Sequence, residues 1–370
     1  MKKVVIIGGG IAGLISSILL ARKGIQVLII EKKSYPFHRV CGEYISNETI
    51  AFLQQHNLFP GQHNPATIDR FQLSAVSGKN VVMPLDLGGF GISRYTLDNF
   101  LYKHAKDAGV NFLLNAEAEQ VVYHGEEFLV KTATQSLHAD IVIGAFGKRS
   151  RMDVVLERSF IRKRSPYVGV KYHVRAEHPA DLIALHNFSG GYCGISNIED
   201  GKTNICYLTH RDNIKKYKSI REMEEAVLHC NPLLKNIFRN ADFLFEKPEV
   251  INEISFETKS AVTDHILMAG DAAGMITPLC GNGMAMAMHA AKIVSELVIR
   301  FCEDKHFSRQ QLEAIYTQQW NRIFSQRLWA GRQIQKLFGN AWASNVAVNL
   351  AIHVRPIANT IMRNTHGDGF

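Results

Sequence analysis

The chain opens on an apolar run, Val4 to Ile7, followed by three glycines and then a segment, Ile11 to Lys23, whose apolar residues share one helical face. An unbroken run of β-branched residues suits a strand buried on both sides, and the following periodicity suits a helix. Gly24 stands where a left-handed residue ends a helix. Gln26 to Glu31 then reads as a second buried strand, closed by an acid. A related pattern returns late in the chain. Ile266 to Ala269 is a short buried strand, and from Met284 the run "MAMAMHAAKIVSELVIRF" has strong helix formers and an apolar face.

Between these units the period changes. "FQLSAVSGKNVVMPL" and the 166–260 stretch, with "YVGVKYHV" and "KTNICYLTH", alternate apolar and polar residues as strands of an antiparallel sheet do. From Ser308 onward Trp320, Phe324, Leu328, Ile334 and Leu337 recur at roughly helical spacing. They are expected to pack as core. The competing reading is an apolar surface for a lipid or membrane, with Arg322, Arg327, Arg332 and Lys336 on the polar face.

The expected fold class is therefore α/β: a Rossmann-type nucleotide-binding domain interleaved with an antiparallel β-sheet substrate domain and a C-terminal helical segment. The first domain gathers residues 1–70, 94–165 and 262–300, the second 71–93 and 166–261, and residues 301–370 form the helices. A chain of 370 residues can bury more than one core.

Composition narrows this only a little. With 46% apolar and 21% charged residues, the chain is globular. The net charge of +8 is scattered, its densest cluster being Arg162, Lys163 and Arg164, and no basic stripe carries interleaved aromatics. Nucleic-acid binding is not expected. Cysteines 41, 193, 206, 230, 280 and 302 form no C-x-x-C pair, so neither a metal site nor a disulfide framework is expected, and a reducing cytoplasm fits best. "MKKVVIIGGGIAGLISSILLARKG" imitates a secretory leader, but three glycines in mid-run and a following strand speak against one. The expectation is a soluble or at most peripheral protein.

The glycines give the first chemistry. "KVVIIGGGIAGLISSILLARKGIQVLIIEKK" places G-x-G-x-x-G, at Gly8, Gly10 and Gly13, between strand and helix, with Glu31 at the end of the next strand. Gly8 permits the tight turn, Gly10 lets a pyrophosphate approach the backbone, and Gly13 lets helix and strand close up. Bare N–H groups and the helix dipole then face phosphate, and the acid accepts from ribose hydroxyls. These features imply a dinucleotide and leave open whether it is FAD or a nicotinamide.

The later segment "GDAAGMITPLCGNGMAMAMHAA" resembles the second FAD fingerprint of glutathione-reductase-like flavoproteins, specifically the para-hydroxybenzoate-hydroxylase superfamily. "ISRYTLDNFLYKHAKDAGV" resembles that superfamily's R-x-x-L-D-x-x-L segment at Arg94, Leu97 and Asp98. The resemblance implies FAD. It places Asp271 on the ribityl–pyrophosphate portion, and the turn of Pro278, Gly281 and Gly283 beside the flavin ring. The cofactor-binding set it implies is Gly8, Gly10, Ile11, Ala12, Gly13, Glu31, Lys32, Arg39, Cys41, Gly42, Arg94, Asp271, Gly281, Asn282, Gly283 and Met284.

Departures from the pattern sort the branches. "ADIVIGAFGKRSRM" keeps Asp140, Gly144, Gly147 and Ser150 of the hydroxylases' D-x-V-I-G-A-D-G-x-x-S, but Phe146 replaces the internal aspartate. No G-W-x-W-x-I-P halogenase motif is present. "RVCGEYIS" resembles the C-G-[DE] step of the geranylgeranyl-reductase family at Cys41, Gly42 and Glu43. That family's Y-x-W-x-F-P strand survives only as Tyr192, within "SGGYCGISNIEDGKTNICYL".

The resemblance implies an FAD-dependent oxidoreductase that reduces a C=C bond of an apolar, polyprenyl or lipid-like substrate. An isolated alkene needs a proton on one carbon as hydride reaches the other. Cys41 is the candidate acid and Glu43 its rival, with Tyr192 and Cys280 expected on the substrate. An aromatic or polyketide monooxygenase is the alternative, and a redox-inactive flavin-binding protein a third reading. No second G-x-G-x-x-G unit is present, so the electron donor, NAD(P)H or a redox protein, is expected to bind transiently.

Overall fold

The computed structural model describes residues 2–252, 254–277, 281–335, 339–353 and 369–370. Its first sheet has six strands in the order Val262–Thr263, Ile266–Met268, Ile141–Gly144, Lys3–Ile7, Gln26–Glu31 and Asn111–Leu114. All neighbours pair in parallel except the edge strand Val262–Thr263. Lys3–Ile7 is central, and the chain order reverses on either side of it. Ligands of such sheets bind at the carboxyl end of this switch point, where Gly8 begins.

Helix Ile11–Ala21 is buried almost throughout. It packs against helices Gly283–Glu303 and Arg94–Asp107. On its strand side Gly13 lets it close onto Lys3–Ile7 and the glycine turn: a Cβ there would lie 2.0 Å from the Gly8 carbonyl oxygen and 3.3 Å from Ile6. Gly8, at φ +105°, would place a Cβ 2.3 Å from the Ala145 carbonyl. Both positions exclude a side chain, as the sequence pattern requires.

The second sheet has nine strands. The path runs Asp242–Phe243, Tyr167–Arg175, Thr203–His210, Gly191–Asn197, Leu182–Phe188, Ala66–Ser74, Asn80–Gly91 and Tyr44–Ser46, with Glu249–Asn252 also pairing Tyr167–Arg175. It is antiparallel except where Leu182–Phe188 meets Ala66–Ser74. One of its strands, Tyr44–Ser46, falls inside the 1–70 range expected for the nucleotide domain, and Ala66–Ser74 begins there. Tyr44–Ser46 pairs Gly89–Gly91 instead, and Ala66–Ser74 forms a hairpin with Asn80–Gly91. A third sheet, Ala118–His124, Glu127–Thr132 and Ser136–Ala139, completes the strands.

The second sheet is covered on both faces, and the alternation of its strands divides the labour. Val170, Tyr172, Ile205 and Tyr207 pack with Met223, Val227 and Leu234 under the helices of residues 220–240. Leu185, Tyr192, Leu208, Ile254 and Met275 form an apolar cluster on the other face. Lys171 and His173, polar positions in the alternation, are buried rather than solvated.

At the C-terminal end, Trp320 and Phe324 of helix Arg309–Gln335 join the main core, as their spacing predicts, and Tyr316 joins them. Arg327, expected on a polar face, turns inward to Glu48 at 3.5 Å. Leu337 and Lys336 lie outside the described residues. Helix Ala341–His353 buries Val348 in the apolar cluster beside Tyr192. Among the described residues no helix is long and apolar enough to cross a membrane.

Candidate active site

A cavity of about 560 Å³ runs from the glycine turn and Glu31, past Arg94 and Asp271, to the inner face of the second sheet at Tyr192 and Leu208. One end is lined by glycines and charges, the other by apolar side chains.

At the charged end the Gly9 N–H donates to Glu31 at 2.8 Å, and the Lys33 N–H donates to its other oxygen at 3.1 Å. Arg39 bridges Glu31, at 3.3 Å, and Asp98, at 3.2 Å. Arg94 opens helix Arg94–Asp107 and grips Asp98 with two bonds of 2.7 and 2.8 Å. Burial alone would lower the Arg94 pKa, but Asp98 overrides it and keeps the guanidinium charged. Its Nη2 lies 3.7 Å from where a Gly10 Cβ would stand, so a buried cation rests against the glycine turn.

The Asp271 turn is held from behind. Lys259 donates to the Asp271 and Lys148 carbonyls at 2.8 and 2.7 Å. Arg158, paired with Asp153 at 2.9 Å, donates to the Ala272 carbonyl at 2.8 Å. Burial draws the Lys259 ammonium down to about 8. Beyond the turn, Gly281 at φ +65° packs against the Tyr44 ring, and Asn282 precedes helix Gly283–Glu303. Pro278 and Cys280 lie outside the described residues.

"RVCGE" is the most tightly held backbone of the site. Four successive carbonyls accept from side chains. Lys171 donates to Arg39 at 3.2 Å, Lys148 to Val40 at 3.4 Å, and Asn204 to Cys41 at 3.2 Å and Gly42 at 2.9 Å. Ser196 adds a bond to Gly42 at 3.4 Å. Lys148 comes from the nucleotide side and the others from the second sheet.

Glu43 follows at φ +55°, its side chain fully buried. Lys171 donates to it at 2.5 Å, the Arg94 N–H at 2.7 Å, and His173 Nε2 lies at 2.6 Å. Burial would raise this carboxyl, but Lys171 first and His173 with it hold it down at about 2. A group so firmly ionised has no proton to give near neutrality. The expectation of Glu43 as rival acid is therefore corrected: the geometry makes it an anchor.

Cys41, free and partly exposed, lines the cavity. So does Cys206, whose thiol is pushed up to about 12 by burial and by the nearby Cys41. Tyr192 closes the apolar end, its hydroxyl 3.4 Å from Gln335. Sequence reasoning missed Lys171, His173, Asn204 and Cys206. Their only signal was the alternation of "YVGVKYHV" and "KTNICYLTH", in which Lys171, His173 and Asn204 read as a solvated face.

The residues present fit FAD. Bare glycine backbone lines the cavity at Gly8, Gly10, Gly281 and Gly283, Glu31 and Asp271 stand at separate points along it, and an apolar roof covers its far end. That is the shape and donor order of an extended dinucleotide whose ring meets a substrate.

Comparison with known proteins agrees. Residues 1–301 match the family described as FAD binding domain. Digeranylgeranylglycerophospholipid reductase of Methanosarcina acetivorans is 26% identical over 338 residues, 86% of this chain and 80% of its own length. A geranylgeranyl bacteriochlorophyll reductase-like protein from Thermoplasma acidophilum superposes with a TM-score of 0.78 at 16% identity, covering 98% of this chain and 96% of its own. The flavin-dependent brominase Bmp2 superposes with a TM-score of 0.78 at 18% identity, covering 98% of this chain and 93% of its own. The two structural likenesses carry the fold alone.

Proposed function

The chain belongs to the FAD-binding-domain family, which it matches through residues 1–301, and from that premise we propose that it reduces C=C bonds of a polyprenyl lipid. The observation that carries this reading is the Cys41 turn, clamped between the FAD cradle and a roof of apolar side chains. A relative named for a digeranylgeranyl lipid supports the same substrate class.

Reduced FAD supplies hydride when bound. The chain's residues do the rest. Gly8 to Gly13 and the Asp271 turn would hold the phosphates and ribityl chain, and the buried Arg94 adds positive charge beside the glycine turn. Phe71, Leu185, Leu208 and Met275 take the prenyl chain and exclude water, which also strengthens every charge interaction in the site. Cys41 gives its proton to the alkene carbon that does not receive hydride.

An aromatic monooxygenase would share the fold but needs no thiol at this turn. The C-terminal helices would touch a bilayer surface through Trp329 and Trp342, which are 59% and 75% exposed. The electron donor, NAD(P)H or a redox protein, would bind transiently.

Anaerobic, chemically reduced holoenzyme mixed with a digeranylgeranyl glycerophospholipid tests the reading. Product heavier by two hydrogens per reduced bond is expected. Turnover only with O2 and a gain of one oxygen would refute it. Cys41→Ser should keep FAD and lose alkene reduction; an unchanged rate would overturn the acid assignment alone.

A further inference from the structure

A thiol that protonates an alkene is left as a thiolate, and no second turnover occurs until a proton returns. Four of the groups packed around the Cys41 turn are poor sources for it. Glu43 is ionised, Lys171 and His173 are buried against it, and the Cys206 thiol resists ionisation.

His38 is different. It lies three residues before Cys41 on the same irregular loop, and both residues line the cavity. Its ring is fixed on three sides, stacked on Tyr95 at 4.6 Å and edge-on to Phe245 at 4.7 Å and His173 at 5.3 Å. Its Nδ1 is buried with no hydrogen-bond partner among the described residues, while the residue as a whole is partly exposed.

We propose that His38 is the proton relay between solvent and Cys41, restoring the thiol after each reduction. This rests on the reading of Cys41 as the acid. A neutral imidazole carries one N–H and one acceptor nitrogen. The N–H proton passes to the Cys41 thiolate as the other nitrogen takes one from water, and exchange with water then restores the tautomer. One proton from bulk is consumed for each thiolate, and no electrons move.

The groups facing the ring favour this state. Burial first, and then Lys171, His173 and Lys202, disfavour a second proton more than Glu43 attracts one, so the imidazole is drawn down to about 4. Near neutrality it is therefore a neutral ring, able to pass a proton without storing charge.

Burst kinetics separates the relay from the acid. Anaerobically reduced holoenzyme receives a digeranylgeranyl glycerophospholipid, first with enzyme in excess and then under turnover with a chemical reductant. Cys41→Ser is expected to lose the first turnover. His38→Ala is expected to keep the first-turnover rate and KM, lose about tenfold or more in steady-state rate, and recover part of it with added imidazole. Normal steady-state turnover in His38→Ala would overturn the relay and leave the acid standing. So would equal slowing of both phases without imidazole rescue. An unaffected first turnover in Cys41→Ser would overturn the acid reading itself. His38→Asn serves if the alanine variant fails to bind FAD, as judged from the flavin absorbance per protein.

Discussion

Replacing Lys171 by Met removes a cation that is wholly buried, 2.5 Å from Glu43 and 3.2 Å from the Arg39 carbonyl. Glu43 would remain buried and charged, with His173 and the Arg94 N–H as its remaining partners. Stripping one partner from a buried pair costs about 3–5 kcal/mol, because the other charge is left uncompensated. A second route gives a similar size. Glu43 is drawn from 4.5 to about 2 in the folded protein, which corresponds to about 3 kcal/mol of favourable interaction with its ionised form. Lys171 supplies the largest favourable part. The expected loss in Lys171→Met is therefore about 3 kcal/mol, read from urea unfolding of the holoprotein. The pH dependence has a definite sign. A depressed carboxyl stabilises fully above its unfolded pKa, and this is lost as pH falls from about 4.5 toward 2. In Lys171→Met that fall should be smaller and should end at higher pH, because the folded-state carboxyl then titrates closer to its unfolded value. The double variant Lys171→Met/Glu43→Gln should recover at least half of the loss, since no unpaired charge remains. A loss below about 1 kcal/mol in the single variant, or no recovery in the double, would refute the charge-cluster account.

Three more outcomes can be checked directly. Arg94→Gln breaks the two-bond grip on Asp98 beside the glycine turn and should weaken FAD binding about tenfold or more, about 1.4 kcal/mol, by flavin fluorescence titration; an unchanged Kd would argue against a role at the cofactor. Glu224, buried beneath Tyr172 and Tyr207, is pushed up to about 7 by burial, so its contribution is present at low pH and lost as pH rises through 7. Glu224→Gln should then be more stable than wild type at pH 8, by about 3 kcal/mol, with most of that advantage gone at pH 5; equal curves would show that the carboxyl is not strained. Trp329→Ala/Trp342→Ala should reduce co-sedimentation with anionic phospholipid vesicles about threefold or more while leaving FAD content unchanged, and undiminished binding would remove the C-terminal helices from the bilayer surface.

The parts of this protein legible in the sequence are those whose constraints are local. Gly13 and Gly24 answer to backbone geometry within a few residues, and Gln26–Glu31 to an unbroken apolar run, so the first unit could be placed nearly residue by residue, even though the Ala145 carbonyl that also excludes a side chain at Gly8 is distant in sequence. The clamp on Cys41 was not legible, because its members are distant in sequence. Lys171 lies 132 residues from the carbonyl it grips, and Asn204 lies 163 from Cys41. In strands that alternate, such residues are indistinguishable from solvent-facing ones until the facing element is known. The same ambiguity hid the pairing of Tyr44–Ser46 with the second sheet, since three residues carry no periodicity and their partners are Gly89, Phe90 and Gly91.

The strand Thr203–His210 shows how cofactor register and substrate fit can be set separately. Every second residue faces the Cys41 turn and the apolar wall: Asn204 grips the turn, Cys206 lies beside it, and Leu208 belongs to the wall. Ile205 and Tyr207 point the other way, into the core under the helices. The alternation forbids a one-residue slip, which would bury Asn204 among apolar side chains and turn Ile205 to the cavity. Cys41 is therefore placed by the sheet's hydrophobic pattern as firmly as by its own hydrogen bonds. It follows that the wall can change size at Leu208, two pairs of residues from the grip, without moving the turn. A larger side chain there should shorten the prenyl chain accepted and leave FAD binding as it was, whereas any change at Asn204 should disturb the placement of the thiol first.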